Sequence, residues 1–307
     1  LREFASSTHG HDDLQAWDVP YYSEKLKQSR FAFSDEQVRP YFPLPRVLEG
    51  LFAVTEKLFG IRAIKAECEH TWHEDVQFFE LRDHTGVTRG CFFLDLYARS
   101  HKRGGAWMAD CIGRRRLADG TVQLPVAFLT CNFMPPVGDK PSLLTHDDVV
   151  TLFHEFGHGL HHLLTQVDEP AVAGISGVPW DAVELPSQFL ENWCWAPEAL
   201  VAISGRYQTG KPLPDDLLDK LRGARNFQCA LQMLRQLEFS IFDMVVHGAE
   251  PLPTAQAIQQ TLDTVREKIA VVPTPAWNRF QNSFSHIFAG GYAAGYYSYK
   301  WAEVLSA

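Results

Sequence analysis

The chain has no apolar run near the roughly 18 residues of a membrane-spanning helix, so no segment reads as transmembrane. It has no Lys/Arg-rich stretch beyond Arg114-Arg115-Arg116, and its net charge is −9 over 307 residues. Nucleic-acid binding draws on clustered positive charge, so this balance argues against that class. The arginine triplet reads as a solvated strand end. There is no Cys-x-x-Cys pair among Cys68, Cys91, Cys111, Cys131, Cys194 and Cys229. Widely scattered cysteines, several inside apolar runs such as Cys91-Phe-Phe-Leu94, read as reduced, buried small hydrophobes of a cytoplasmic protein. No internal repeat, low-complexity tract or signal peptide is visible in these residues. What is present is ordinary for a soluble globular protein: 46% hydrophobic and 21% charged residues, enough chain for one large domain or two small ones.

Against that background one pentapeptide stands out, His154-Glu-Phe-Gly-His158. It matches the His-Glu-x-x-His zinc signature and lies in a helix-like segment, Thr151 to Leu164. Four residues turn a helix by about 400°, so His154 and His158 project from one face, one turn apart. Two imidazoles so placed can share one Zn²⁺, leaving room for a third protein ligand and a water. Glu155, next to the first histidine, can reach that water as general base. Phe153, Phe156, Leu160, Leu163 and Leu164 make the helix apolar over much of its circumference. Buried histidines and a buried glutamate need partners, and a metal is an economical one. Gly157 and Gly159 each cost about 1 kcal/mol in a helix interior, which makes sense where something approaches the helix closely.

The third ligand is open on spacing alone. Position 164 is Leu164 and position 161 is His161, so the extended pattern with a third histidine is absent. A carboxylate from downstream is the remaining option, among Asp168, Glu169, Asp181, Glu184 and Glu191. Asp181, three residues before Glu184, could orient a ligand histidine or cap the helix that follows. His161 and His162 read as structural, with a substrate contact from His161 as the alternative.

Along the chain, residues 13–59 look helical, with Pro45 opening a segment through Phe59 that Gly60 ends. Four strand-like runs follow, Ile61–Ile64, Val76–Leu81, Cys91–Tyr97 and Val126–Phe133, with Asp83-His-Thr-Gly-Val87 as a hairpin turn. These predict a small sheet beside the zinc helix. Gly104-Gly-Ala-Trp107 reads either as the start of an edge segment able to pair with an extended peptide or as a plain loop. Thr145-His-Asp-Asp148 caps the zinc helix, and Leu213–His247 and Thr254–Ala270 read as long helices. The expected fold class is mainly α with a small β-sheet (α+β): a helical lead-in over 1–60, a sheet over 61–135 and a helical zinc-binding region over 145–307.

His154-Glu-Phe-Gly-His158, then Glu184-Leu-Pro-Ser-Gln-Phe-Leu-Glu-Asn-Trp193, then His286-Ile-Phe-Ala-Gly-Gly-Tyr-Ala-Ala-Gly-Tyr-Tyr-Ser-Tyr-Lys-Trp301 together resemble the thimet oligopeptidase family of zinc metallopeptidases. The resemblance runs from about Phe92 to Trp301. It implies a zincin-like catalytic domain in which His154, His158 and Glu184 bind one zinc and Glu155 is the base. It also implies that Tyr292 and Tyr299 hydrogen-bond the scissile carbonyl as it becomes an oxyanion, and that His286 contacts substrate nearby. A phenol remains a donor at neutral pH, and one preorganised donor lowers such a barrier by roughly 3–4 kcal/mol. Gly290, Gly291 and Gly295 suggest a mobile loop that closes on the peptide. Short peptides are the implied substrates. Members of the family are longer, so a fragment lacking an N-terminal lobe is expected, with substrate selection impaired. Such sites also accept cobalt or manganese. Two rivals remain: a non-catalytic, zinc-stabilised peptide-binding or structural fragment, and a dipeptidyl carboxypeptidase.

Overall fold

The computed structural model describes residues 1–307, in two compact units. The first comprises Leu1–Ser34, Trp180–Ala182 and Asp219–Val304; the second comprises Asp35–Pro179, Val183–Leu218 and Leu305–Ala307. The chain opens in the first with helices α1 (Arg2–His9) and α2 (Val19–Phe31), then enters the second with α3 (Asp35–Val38) and α4 (Leu44–Phe59). Val47, Leu48, Leu51 and Val54 give α4 a buried stripe at helical spacing. Gly60, at φ 67°, ends it in the left-handed conformation that glycine adopts without penalty.

Strands β1 (Ile61–Ala66), β2 (Gln77–Asp83), β3 (Thr88–Tyr97), β4 (Trp107–Ile112) and β7 (Val126–Phe133) form a sheet in the order β1-β2-β3-β7-β4. Only the β3–β7 pair is parallel. β5 (Arg115–Arg116) and β6 (Val122–Gln123) make a separate ribbon. Alternation along the strands separates two faces. Phe92 and Leu94 of β3 and Ala127, Leu129 and Cys131 of β7 are buried on one of them. Helix α5 (His146–Leu163) packs there, with Phe156 edge-on to Phe92 at 5.5 Å. Phe52 of α4 meets both Phe79 (5.3 Å) and Phe156 (5.8 Å), so α4 and α5 share one aromatic core. Each such pair is worth about 0.5–1.5 kcal/mol beyond its buried area.

The second unit continues through α6 (Leu185–Glu191) and α7 (Pro197–Ile203), and α8 (Asp215–Gly223) runs through the division after Leu218. In the first unit α9 (Cys229–His247) packs on α10 (Ala255–Ile269), followed by α11 (Ser285–Phe288) and α12 (Ser298–Leu305). Phe242, Val246, Leu262, Phe284, Ile287 and Tyr296 form its core. The single helix expected over Leu213–His247 is two helices. Gly223, a weak helix former, ends α8, and Gln228 at φ 57° turns the chain before α9. No helix is long and apolar enough to cross a membrane. In the arginine triplet, Arg115 and Arg116 are exposed, whereas Arg114 is half-buried and donates from Nε to Asp168 at 2.8 Å.

Candidate metal centre

Helix α5 starts on a capping box. Thr145 Oγ1 accepts from Asp148 N (3.1 Å), and Thr145 N donates to Asp148 Oδ2 (2.8 Å). Two turns on, His154 and His158 lie on one face with ring centroids 4.9 Å apart. Glu184 sits at the N-cap of α6, fully buried. Gly157 brings the two helices together. A Cβ there would fall 2.6 Å from both Pro186 O and Ser187 Cα, which are backbone atoms that cannot turn aside. His154 Nε2 and His158 Nε2 each stand 3.2 Å from the same oxygen, Glu184 Oε2. Ser187 Oγ donates to that oxygen at 3.0 Å.

Gly157→Ala is therefore expected to push α6 off α5. It should destabilise the fold by about 1–3 kcal/mol despite alanine's better helix propensity, and weaken metal binding. Gly159→Ala is the control, because its Cβ would meet only the Leu129 side chain, at 3.1 Å. Denaturant melts and metal titrations of the two variants make the comparison; equal effects would remove the special role of Gly157.

The electrostatics favour a cation. Glu155 and Glu184 are buried, and Glu191 Oε1 lies 2.6 Å from His154 Nδ1, so three carboxylates surround two imidazoles. Burial opposes charge on His154, but hydrogen bonds to Glu184 and Glu191 outweigh it and push its pKa up to about 10. Burial opposes charge on Glu184 too, yet His154 and His158 hold its carboxyl far below the usual range. Glu155 is pushed up, mainly by burial, with His154 and His158 partly offsetting it. Its carboxylate accepts from the backbone N–H of Met108 on β4. Glu155 Oε2 is buried without a hydrogen-bond partner in the protein, which a water, an ion or a catalytic role would explain.

The donor set fits a metal ion. His154, His158 and Glu184 offer one atom each, all within 4.8 Å of one another. Ligand atoms about 2.0–2.1 Å from a tetrahedral zinc stand roughly 3.4 Å apart, and the two nitrogen-to-oxygen separations are 3.2 Å.

Tyr292, Tyr299 and His286 gather in the first unit. Tyr292 and Tyr299 stack at 5.3 Å and 20°, and the His286 ring lies 6.1 Å from Tyr292 and 6.4 Å from Tyr299. Trp180 packs against Tyr292 at 4.7 Å.

The sequence profile of Peptidase family M3 matches residues 1–307. The chain belongs to peptidase family M3. It is 59% identical over 307 residues to oligopeptidase A of Escherichia coli (strain K12), covering 100% of this chain and 45% of the relative. A probable cytosolic oligopeptidase A of Arabidopsis thaliana is 48% identical over 301 residues, 96% of this chain and 43% of the relative. The dipeptidyl carboxypeptidase of Escherichia coli (strain K12) is 37% identical over 301 residues, 97% of this chain and 43% of the relative. The chain thus spans less than half the length of these relatives.

In this M3 chain one orienting residue differs from expectation. Asp181 lies in the first unit and accepts from Tyr297 Oη at 3.3 Å, and the N-cap position of α6 is Glu184, which makes no side-chain capping hydrogen bond. The carboxylate on His154 is that of Glu191, which occupies the position for which Asp181 was considered. Glu191 is seven residues after Glu184, two helical turns along α6, so the i, i+7 spacing was the available signal. Met108 carried no signal, since its contribution to Glu155 is a backbone N–H. Asp168 is engaged by Arg114 and Arg116. His162 is fully buried with Nε2 3.0 Å from the Ile112 carbonyl, a structural contact. His161 lines an apolar cavity of about 400 Å³ with Phe59, Leu164, Pro186 and Phe189.

Glu191→Gln keeps the shape but loses the charge on His154. Metal affinity is expected to fall by about 10–100-fold, measured by competition with a chelating dye. An unchanged affinity would make Glu191 a bystander.

Proposed function

We propose that this chain carries the metal centre of a zincin-like, zinc-dependent oligopeptidase that hydrolyses short peptides. The observation that carries this reading is the convergence of His154 Nε2 and His158 Nε2 on Glu184 Oε2, with the buried Glu155 carboxylate beside them. His154, His158 and Glu184 would hold one zinc ion. When bound, zinc supplies a Lewis acid that polarises the peptide carbonyl and acidifies a water. Glu155 takes a proton from the attacking water and delivers it to the departing amine. The Met108 N–H fixes one side of that carboxylate, leaving Oε2 for the proton. Tyr292 and Tyr299 donate phenolic hydrogen bonds to the oxyanion, and His286 contacts the substrate. β4, at the end of the sheet order, would present backbone groups to an extended peptide.

Oligopeptidase A relatives at 48–59% identity favour an endopeptidase over a dipeptidyl carboxypeptidase, whose representative stands at 37%. A structural zinc site needs no general base, so Glu155 argues against a non-catalytic scaffold. Free cysteines and a relative described as probably cytosolic support a cytoplasmic setting. The remaining length of the relatives is assigned to a further lobe that selects substrates.

Metal content and cleavage of a quenched fluorescent peptide, measured together, test the reading. One zinc per chain is expected, with cleavage lost to a chelator and restored by zinc. Failure to take up zinc on reconstitution would overturn the ligand assignment. Zinc without cleavage would leave the metal site standing and assign substrate handling to the length that the relatives have beyond this chain.

A further inference from the structure

The stretch from Ala289 to Tyr299 contains Gly290, Gly291 and Gly295, a composition that by itself lets a backbone wander. It is tied down instead. Asp243 of α9 is fully buried, and its two oxygens face the loop. Oδ1 accepts from Ala294 N and Oδ2 from Tyr296 N, each at 2.9 Å. His247 Nδ1, one turn along α9, lies 2.7 Å from Oδ1. Ala294 has φ 53°, a left-handed conformation that a residue with a Cβ adopts only when its surroundings hold it there. On Gly291, at φ 90°, a built Cβ would lie 2.4 Å from Trp180 Cζ2, so the indole occupies the space that glycine leaves. The same indole packs against the Tyr292 ring. Asp181 adds a third tie through Tyr297 Oη.

We propose that Asp243 and Trp180 are positioning residues for Tyr292: Asp243 fixes the loop backbone through the Ala294 and Tyr296 N–H groups, and Trp180 sets the ring. The inference rests on the reading of Tyr292 as an oxyanion donor. Neither residue touches the reacting atoms; both act through Tyr292. Trp180 precedes Glu184 by four residues, so one short stretch carries both a proposed metal ligand and a support for the proposed oxyanion donor. A displaced donor costs rate rather than binding, because the oxyanion exists only in the transition state.

Hydrogen exchange and kinetics on the same variants test this. Asp243→Asn is expected to speed exchange of the Ala294 and Tyr296 amides about tenfold or more while amides within α9 and α10 keep their protection. Trp180→Ala is expected to lower kcat by about tenfold or more with KM little changed. Trp180→Phe should restore most of that, and Trp180→Ala should add nothing in a Tyr292→Phe background. Unchanged exchange at Ala294 and Tyr296, or equal acceleration throughout α9 and α10, overturns the role of Asp243. A full Trp180→Ala effect on top of Tyr292→Phe overturns the role of Trp180. If the unaltered chain shows no chelator-sensitive cleavage, the kinetic comparison falls away, and exchange at Gly291, Tyr292, Ala294 and Tyr296 still decides whether these two residues hold the loop. If Asp243→Asn does not fold, the Trp180 variants carry the same exchange measurement, since Trp180 is 46% exposed.

Discussion

Glu155→Gln is expected to lower peptide cleavage by about 10²–10⁴-fold while metal content stays unchanged. The reason is local. Glu155 is not one of the three converging donors, so its amide isostere leaves His154, His158 and Glu184 in place. The substituted amide retains a carbonyl oxygen for the Met108 N–H, so the side chain keeps its anchor. What disappears is the ability to take a proton. Stability should hold or rise slightly, because a buried charge crowded by Glu184 is removed. Cleavage of the quenched peptide and elemental analysis of the same sample read the two quantities. Activity within about twofold of the unaltered chain would remove Glu155 as the base, and loss of metal would recast it as part of the binding site.

The largest effect on stability is expected at Asp95, away from the metal centre. Asp95 is buried on β3 and accepts from Trp72 Nε1 (2.8 Å), Arg99 NH1 (2.6 Å) and Lys102 Nζ (2.8 Å). The Lys102 side chain is itself only 5% exposed. Asp95→Asn leaves that ammonium, and the Arg99 guanidinium, without the carboxylate. Breaking a buried pair by removing one partner costs about 3–5 kcal/mol. The value here should fall near the lower end, because Lys102 Nζ keeps its bonds to the Tyr97 and Cys131 carbonyls. Adding Lys102→Met should recover part of the loss if the unpaired ammonium is the cause. The pH dependence has a defined sign. Burial pushes the Asp95 pKa up, but Arg99, Lys102 and Trp72 outweigh it and hold it well below the usual carboxylate range. The folded pKa is thus lower than the unfolded one, and the folded state is favoured wherever Asp95 is ionised. Its contribution is present above about pH 4 and is lost as pH falls from there toward the folded pKa. Urea melts from pH 7 down to pH 3 should show a shallower acid decline for Asp95→Asn; an equal slope would assign the acid sensitivity elsewhere.

Much of the second unit was legible beforehand, and each success has a physical basis. Residues 44–59 form a helix because their apolar positions repeat at helical spacing between a proline start and a glycine stop. Four of the five strands of the sheet are legible as short apolar runs, and Asp83 closes the β2–β3 hairpin by accepting from Thr85 N and Val87 N, whereas β4 reads equally as an edge segment or a loop. The two histidines share a face because four residues make one turn. The break in Leu213–His247 was missed because one glycine competes weakly with a long apolar period. Glu191 reads from the sequence only as one of five candidate ligand carboxylates, because nothing local shows that its side chain meets His154 Nδ1.

Local spacing alone placed His154, Glu155 and His158 on one helix, since a helix face is a property of a few consecutive residues. Spacing could not choose among five downstream carboxylates, because the choice depends on which backbone approaches α5. In the fold Gly157, whose missing side chain lets Pro186 and Ser187 come close, brings Glu184 rather than the other four against both His154 and His158. Likewise, the sequence showed that residues 286–301 are rich in tyrosine and glycine. Packing decided what those glycines do: Gly291 accommodates the Trp180 ring, and a buried aspartate from a helix some 50 residues earlier binds the loop backbone.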